Sequence, residues 1–142
     1  MTRLTRRTLL CAGGATLGVL APVTTASPQE DPTDIERWRF RTSDPVFSSP
    51  TVVDGTVYIR NNAGALFAIA AETGVERWRF GTGGGIESAP TVVGGTVYVG
   101  SFDNAVYAVD AEDGTEQWRF QTDGDVFSSP TVADGTVFVG SE

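Results

Sequence analysis

The feature that most constrains this chain is that it repeats itself at an interval of 40 residues. Trp38, Trp78 and Trp118 recur at that spacing, as do Pro50, Pro90 and Pro130, and Gly55, Gly95 and Gly135. An eleven-residue frame, Ala68-Ile69-Ala70-Ala71-Glu72-Thr73-Gly74-Val75-Glu76-Arg77-Trp78, returns as Ala108-Val109-Asp110-Ala111-Glu112-Asp113-Gly114-Thr115-Glu116-Gln117-Trp118. A period in this range signals a propeller or solenoid array rather than one packed domain. Each copy in such an array buries its faces only against its neighbours.

Within one period, four short runs are bounded by turn chemistry. Ser88 to Val93 opens with Pro90, which lacks a backbone donor and belongs at a strand start or edge. Gly94-Gly95, like Asp54-Gly55 and Asp134-Gly135, suits a two-residue hairpin turn with positive φ. Thr96 to Gly100 is β-branched and aromatic, and Ala105 to Val109 is apolar at every position, which predicts a third strand buried on both faces. The fourth run, Glu116 to Phe120, alternates: Trp118 and Phe120 share one face, Gln117 and Arg119 the other. Nothing carries a 3.6-residue period, so helical and leucine-rich solenoids are excluded. Four antiparallel strands per repeat with double-sided burial in the middle is the pattern of a propeller blade. The expected fold class is all-β, with two full blades flanked by partial ones.

The frame Ala-x-Asp-x-x-Thr/Asp-Gly-x-x-x-Trp resembles the tryptophan-docking motif of the pyrroloquinoline-quinone-like (PQQ-like, quinoprotein-type) β-propeller repeat family. The Ser-Ser-Pro-Thr-Val, Asp-Gly-Thr-Val and Val-Gly-Ser segments match that repeat too, and the resemblance covers Ile35 to Glu142. It implies that the outer-strand Trp38, Trp78 and Trp118 pack against neighbouring blades and hold the ring, with Ala68, Ala108, Gly74 and Gly114 completing the docking motif. Ala70 departs from it, standing where Asp110 keeps the motif's Asp, so that turn is expected to lack a polar contact. The implied divisions are an outer strand at 35–42, blades at 43–82 and 83–122, and a partial blade at 123–142. In family members a lone starting strand commonly completes the final blade. Here its matching third strand is expected to be absent, leaving an open arc prone to association.

Residues 1–26 read as an export leader. Arg6-Arg7 precede an apolar run from Leu9 to Ala21 that is Gly- and Ala-diluted and too short to span a hydrocarbon core of ~30 Å. The segment resembles a twin-arginine signal, and Thr24-Thr25-Ala26 supplies small residues for cleavage after Ala26. The alternative is a retained, weakly hydrophobic anchor; no stable membrane anchor is expected, and the product should be extracellular or at the cell surface. Residues 27–34 hold two prolines and no side chain able to nucleate a core, the composition of a linker.

Composition narrows the chemistry. The chain has no His, and Cys11 is its single cysteine, which removes His-based triads, Cys-His pairs and structural disulfides. All 10 basic residues are Arg, against 18 acidic ones. Without the three leader Arg, seven remain against those 18 acids, a net charge of −11. Such a surface repels phosphate backbones, so nucleic acid is not an expected partner, and it suits molar salt, where the Debye length shrinks to ~3 Å. No catalytic residue is assigned. Cofactor enzymes of the resembled family imply a vicinal cysteine pair, a Trp platform and calcium; this chain is expected to bind no cofactor, with PQQ and calcium belonging to a full-length relative.

Comparing copies with one another locates a candidate face. The hairpins and the turns before the outer strands barely change, whereas the loops entering the first strand and those joining the second to the third differ. Loop variation on a rigid scaffold is where binding surfaces lie, so Phe47, Asn61, Glu87, Asp103, Asn104 and Phe127 are the candidate binding residues. Asp103-Asn104 and Asn61-Asn62 offer oxygens to calcium, but Asn and Asp in turns ordinarily bond their own backbone. The expected function is a non-catalytic binding or scaffolding module, its partner a protein or further blades of the same propeller. The alternatives are a fragment of a membrane-associated PQQ-dependent dehydrogenase and a structural propeller for cell-surface protein assembly.

Overall fold

A computed structural model describes residues 36–142, together with the backbone of residues 8–12. Arg6 and Arg7, Ile35 and the linker 27–34 lie outside the described residues. The strands are β1 (Thr8–Ala12), β2 (Glu36–Arg41), β3 (Thr51–Val53), β4 (Thr56–Arg60), β5 (Ala65–Ala70), β6 (Glu76–Gly81), β7 (Thr91–Val93), β8 (Thr96–Ser101), β9 (Ala105–Asp110), β10 (Glu116–Gln121), β11 (Thr131–Ala133) and β12 (Thr136–Phe138).

They form two complete antiparallel sheets, β3-β4-β5-β6 and β7-β8-β9-β10, and two two-stranded sheets, β1-β2 and β11-β12. The fold is all-β, made of four-stranded blades with incomplete ones at either end. Each first strand begins just after its proline, at Thr51, Thr91 and Thr131, because the ring nitrogen cannot donate to the ladder. The hairpins that follow have both central residues at positive φ: 47° and 70° at Asp54-Gly55, 58° and 78° at Gly94-Gly95, 50° and 73° at Asp134-Gly135. Those are I′ turns, whose twist matches that of the flanking strands.

Successive blades touch along their first strands, where Thr51 Oγ1 donates to the Pro90 carbonyl at 2.7 Å and Thr91 Oγ1 donates to the Pro130 carbonyl at 2.5 Å. The cores lie between blades. Val57, Ile59, Phe67 and Ile69 face back toward β2 and pack with Trp38 and Phe40. Tyr58, Leu66 and Ala68, on the opposite face of the same sheet, pack forward onto Val97, Val99, Tyr107 and Val109 of the next. Alternation thus sends one side of each strand to each core, which is why β5 and β9 are apolar throughout. Edge-to-face rings bridge the gaps, Phe40 with Phe67 and Phe80 with Tyr107, both with centroids 5.5 Å apart.

One expectation is corrected. The third strand of the blade ended by β2 is not absent: β1 occupies its place, pairing Leu9, Leu10 and Cys11 with Phe40, Arg39 and Trp38. This repeats the register of Leu66, Phe67 and Ala68 with Phe80, Arg79 and Trp78, including a bulge after the residue facing Trp. An open strand edge is a template for any extended segment that can pair with it, and Thr8–Ala12 serves. β12 is also shorter than its counterpart one period earlier, ending at Phe138 where β8 runs on to Ser101. Its other edge meets no third strand among the described residues, so its ladder shortens.

Candidate binding face

The docking residues set the scaffold. Trp38 Nε1 donates to the Ala71 carbonyl at 2.8 Å, and Trp78 Nε1 donates to the Ala111 carbonyl at 3.0 Å, each reaching into the following blade. The turns they meet contain Gly74 and Gly114, at φ of 72° and 77°; a Cβ on either would stand within 2.8 Å of the indole ring. Within a blade, Ala68 and Ala108 lie opposite Trp78 and Trp118 in the ladder. Trp118 reaches past the last complete blade and is 40% exposed, against 8% for Trp78.

Sequence reading named Gly74 and Gly114 but not the acceptors Ala71 and Ala111. Their alanine side chains carry no signal, since the contact is made by the backbone. In the second of these turns Asp110 Oδ1 accepts from the Glu112 and Asp113 amides, and Oδ2 accepts from Gln117 Nε2. These bonds, first that of Glu112, hold the Asp110 carboxyl below the usual carboxylate range. Ala70 has no side-chain oxygen to repeat them.

Antiparallel connection places the entry loops and the β4–β5 and β8–β9 turns on one face. Their backbones are locked together: Asn62 N donates to Pro45 O, Phe102 N to Gly85 O and Val126 N to Ser101 O. Asn61 lies buried within this framework, its Oδ1 accepting from Ala65 N at 2.9 Å, and so is a turn-forming residue rather than a surface contact. Asp103 Oδ2 accepts from Gly83 N at 2.7 Å and from the Tyr107 hydroxyl, tying the entry loop of one blade to the third strand; its Oδ1 is buried without a partner. Burial first, and then the Asp103 carboxylate, push the Tyr107 phenol up to about 12. Asn104 supplies the positive φ of that turn, at 62°.

Phe47 and Phe127 occupy equivalent places in their loops and remain 53% and 43% exposed. Phe127 leans on Phe102, with centroids 4.6 Å apart. Glu87, between them in the repeat, exposes its side chain while its carbonyl accepts from Arg60 Nη2. Arg60 is the residue that sequence reading missed. It is buried at a position where the other copies have Gly100 and Gly140, bonds Asn62 Oδ1 at 2.6 Å, and leaves Nε unpartnered. Burial pulls its pKa below the ordinary arginine value. The signal was available, because an Arg replacing Gly in a repeat is a place where one copy differs in kind.

On the opposite face a groove of about 560 Å³ runs between the two complete blades, lined by Tyr58, Arg77, Asp110, Glu112 and Gln117 with the two hairpins. Gln117 is held there by Thr96 Oγ1 at 3.0 Å as well as by Asp110. Trp38 and Trp78 spend their indole N–H groups and ring faces on blade docking, so neither offers a platform. Among the described residues no group of three or more His, Cys, Asp or Glu is placed to hold a metal.

A family model described as outer membrane protein assembly factor BamB matches residues 81–142. No curated protein sequence matches the chain. Among solved structures, BamB from Moraxella catarrhalis is similar at 23% identity and a TM-score of 0.67, covering 75% of this chain and 34% of that one. The quinohemoprotein alcohol dehydrogenase of Comamonas testosteroni is similar at 27% identity and a TM-score of 0.63, over 70% of this chain and 17% of its own. A quinohemoprotein alcohol dehydrogenase of Pseudomonas putida follows at 26% and 0.60, over 66% and 16%. This chain therefore spans about a third of the BamB chain and about a sixth of the dehydrogenases. Residues 81–142 match that family model, and the recurring motif, the four-stranded blades and the structural likeness all support a PQQ-like β-propeller repeat fold for the chain.

Proposed function

We propose that this chain is an extracytoplasmic, non-catalytic binding module that engages a protein partner through its entry-loop face. The observation that carries the reading is the pair of half-exposed aromatics, Phe47 and Phe127, held on loops whose backbones are hydrogen-bonded to neighbouring turns. Rigid aromatic groups lose little entropy on binding and dominate the energetics of protein interfaces. The polar groups of this face point the same way: Asp103 and Asn61 are occupied in holding loops and do not converge on a space where a reacting atom would sit. An acidic surface disfavours nucleic acid. Likeness to an outer membrane assembly factor supports a protein partner and a place in the cell envelope.

The test is capture from an envelope extract by the chain and by its Phe47→Ser/Phe127→Ser form. Loss of a specific partner with retained tryptophan fluorescence is expected; equal capture would remove the entry-loop face from consideration. Export is read from the paired arginines, and changing Arg6 and Arg7 to Lys should trap precursor inside the cell. Normal export of that variant would sink the twin-arginine reading.

A second reading, part of a PQQ-dependent dehydrogenase, is favoured by the structural likeness to the two alcohol dehydrogenases. Titration with PQQ and calcium, followed by absorbance, separates the two. We expect no stoichiometric uptake by this chain, and uptake would favour the enzyme. A purely structural role in surface assembly would instead show as a chain that binds only copies of itself.

A further inference from the structure

We propose that the groove between the two complete blades, on the face opposite the entry loops, takes an arginine side chain of a protein partner. One wall comes from the blade of β3 to β6 and carries Asp54 and Arg77; the other comes from the blade of β7 to β10 and carries Asp110, Glu112 and Gln117. Every residue that lines it lies between positions 53 and 117, inside two whole sheets.

The two copies of the repeat differ from each other at this place. One period earlier the second wall reads Ala70, Glu72 and Arg77, one carboxylate against one guanidinium. In the groove itself it reads Asp110, Glu112 and Gln117, two carboxylates and no cation. Asp54 and Arg77 of the facing wall cancel, so the groove carries a net charge of −2, three acids against one arginine. Two exchanges in one copy, Asp for Ala and Gln for Arg, therefore act together on a single cleft.

Hydrogen-bonding capacity has the same sense. On the second wall the donors are spent, Gln117 Nε2 on Asp110 Oδ2 at 3.1 Å and Thr96 Oγ1 on Gln117 Oε1 at 3.0 Å. At the base the Tyr58 hydroxyl donates to the Ala111 carbonyl at 3.3 Å. Thr56, the counterpart of Thr96, turns to that hydroxyl, because Arg77 stands where Gln117 would accept from it. Thr56 and Tyr58 are each 3% exposed, and their oxygens keep lone pairs on the groove. Among the described residues the Asp54 and Glu112 carboxylates accept no hydrogen bond and join no ion pair. What is open here accepts, and the only uncommitted donor is Arg77, whose Nη2 lies 3.5 Å from the Gly55 carbonyl, the length of a weak bond.

The occupant that answers this lining is cationic and rich in donors. Its acceptors are spread over two walls and a base, and no three carboxylates among the described residues are placed to hold a metal. A planar guanidinium with five donors reaches separated oxygens better than a compact ammonium does. Val53 and Val92, from the first strand of each blade, line the groove where the methylene stem would lie. At molar salt, charges act over only ~3 Å, so contact inside a cleft survives where attraction at a distance does not.

The probe is an end-capped, dye-labelled peptide of three Arg spaced by Gly, its anisotropy followed against the full 142-residue chain in molar KCl. Saturable binding is expected, weaker by several-fold when Lys replaces Arg in the peptide. Asp54→Asn with Glu112→Gln should weaken binding about tenfold. Glu72→Gln with Asp134→Asn, which changes two exposed acids of the same face outside the groove, should leave it unchanged. Arg77→Gln removes the groove's own cation and should tighten binding, whereas Gln117→Arg should abolish it. The Phe47→Ser/Phe127→Ser form should bind the peptide as the parent does, so this site and the entry-loop reading fail separately. Absence of saturable binding by the unaltered chain, with its tryptophan fluorescence native, overturns the proposal. So does equal weakening by the two double carboxylate variants, weaker binding by Arg77→Gln, or loss in the Phe47→Ser/Phe127→Ser form.

Discussion

Trp78 lies so close over Gly114 that a Cβ there would stand 2.7 Å from the indole Cδ2 and Cε3, while Nε1 donates to the carbonyl of Ala111 three residues earlier. Tryptophan and glycine belong to different blades, so their fit is a term in blade–blade stability. Gly114→Ala combines a left-handed backbone at φ 77° with overlap against a rigid ring. The expected loss is roughly 2 to 4 kcal/mol. Gly55→Ala, at φ 70° but with nothing within 4 Å, should lose only about 1 kcal/mol. Urea unfolding of the two variants checks the difference, and equal losses would mean that the indole yields freely.

Asp110 supports its turn only when ionised, because its oxygens accept from two backbone amides and from Gln117. Its folded-state pKa lies below the ordinary value of 3.8, so the unfolded chain takes up the proton first as pH falls. The contribution is complete above that value and is lost as pH drops through the depressed one. Asp110→Ala should lower the melting temperature at neutral pH, and the gap to the parent chain should close in strong acid. Ala70→Asp, which restores the same acceptor in the preceding turn, should raise the melting temperature at neutral pH.

Tyr107 behaves in the opposite sense. Burial and the hydrogen bond to Asp103 favour its neutral phenol, with the folded value near 12 against 10 for the free side chain. The unfolded chain therefore releases its proton first as pH rises. Stability from this group is complete below about 10 and is lost as pH climbs toward about 12. Tyr107→Phe, the residue type that Phe67 supplies at the same place in the previous blade, should fold normally and show a shallower alkaline decline. Thermal melts at stepped alkaline pH provide the measurement, with tyrosinate absorbance as the direct readout.

The excess of carboxylates predicts a salt requirement. With 18 acidic residues against 10 arginines, like-charge repulsion opposes compaction until ions screen it. The ion pairs seen on the outer strands, Glu36 with Arg39, Glu76 with Arg79 and Glu116 with Arg119, are solvent-exposed and offset little of it. Tryptophan fluorescence should report a folded state favoured by molar KCl and weakened in dilute buffer. A transition insensitive to salt would count against repulsion as the controlling term.

Much of the architecture was written in local patterns. Period, hairpin turns and alternation each depend on neighbours within a few residues. Asp54-Gly55 can turn only one way, and a strand apolar on both faces such as Ala105 to Val109 has nowhere to lie except between layers. The docking motif announced its Trp and its Gly for the same reason: a large ring and the absence of a side chain are properties of residue type. Ala71 and Ala111 escaped notice because the groups that matter there are carbonyls, which every residue carries.

Tertiary structure alone decided the rest. Asn61 and Asp103 looked alike as turn residues, yet one is enclosed by its own turn while the other ties the entry loop at Gly83 to Tyr107 of the third strand. Arg60 gave no sign of being buried, since only the approach of the Glu87 loop encloses it. Thr8–Ala12 read as an apolar run with an export purpose, and nothing in five residues could state which edge they would pair with. Strand pairing between distant segments depends on which edge is left open after the local elements have formed, a property of the assembled sheet rather than of any stretch of chain.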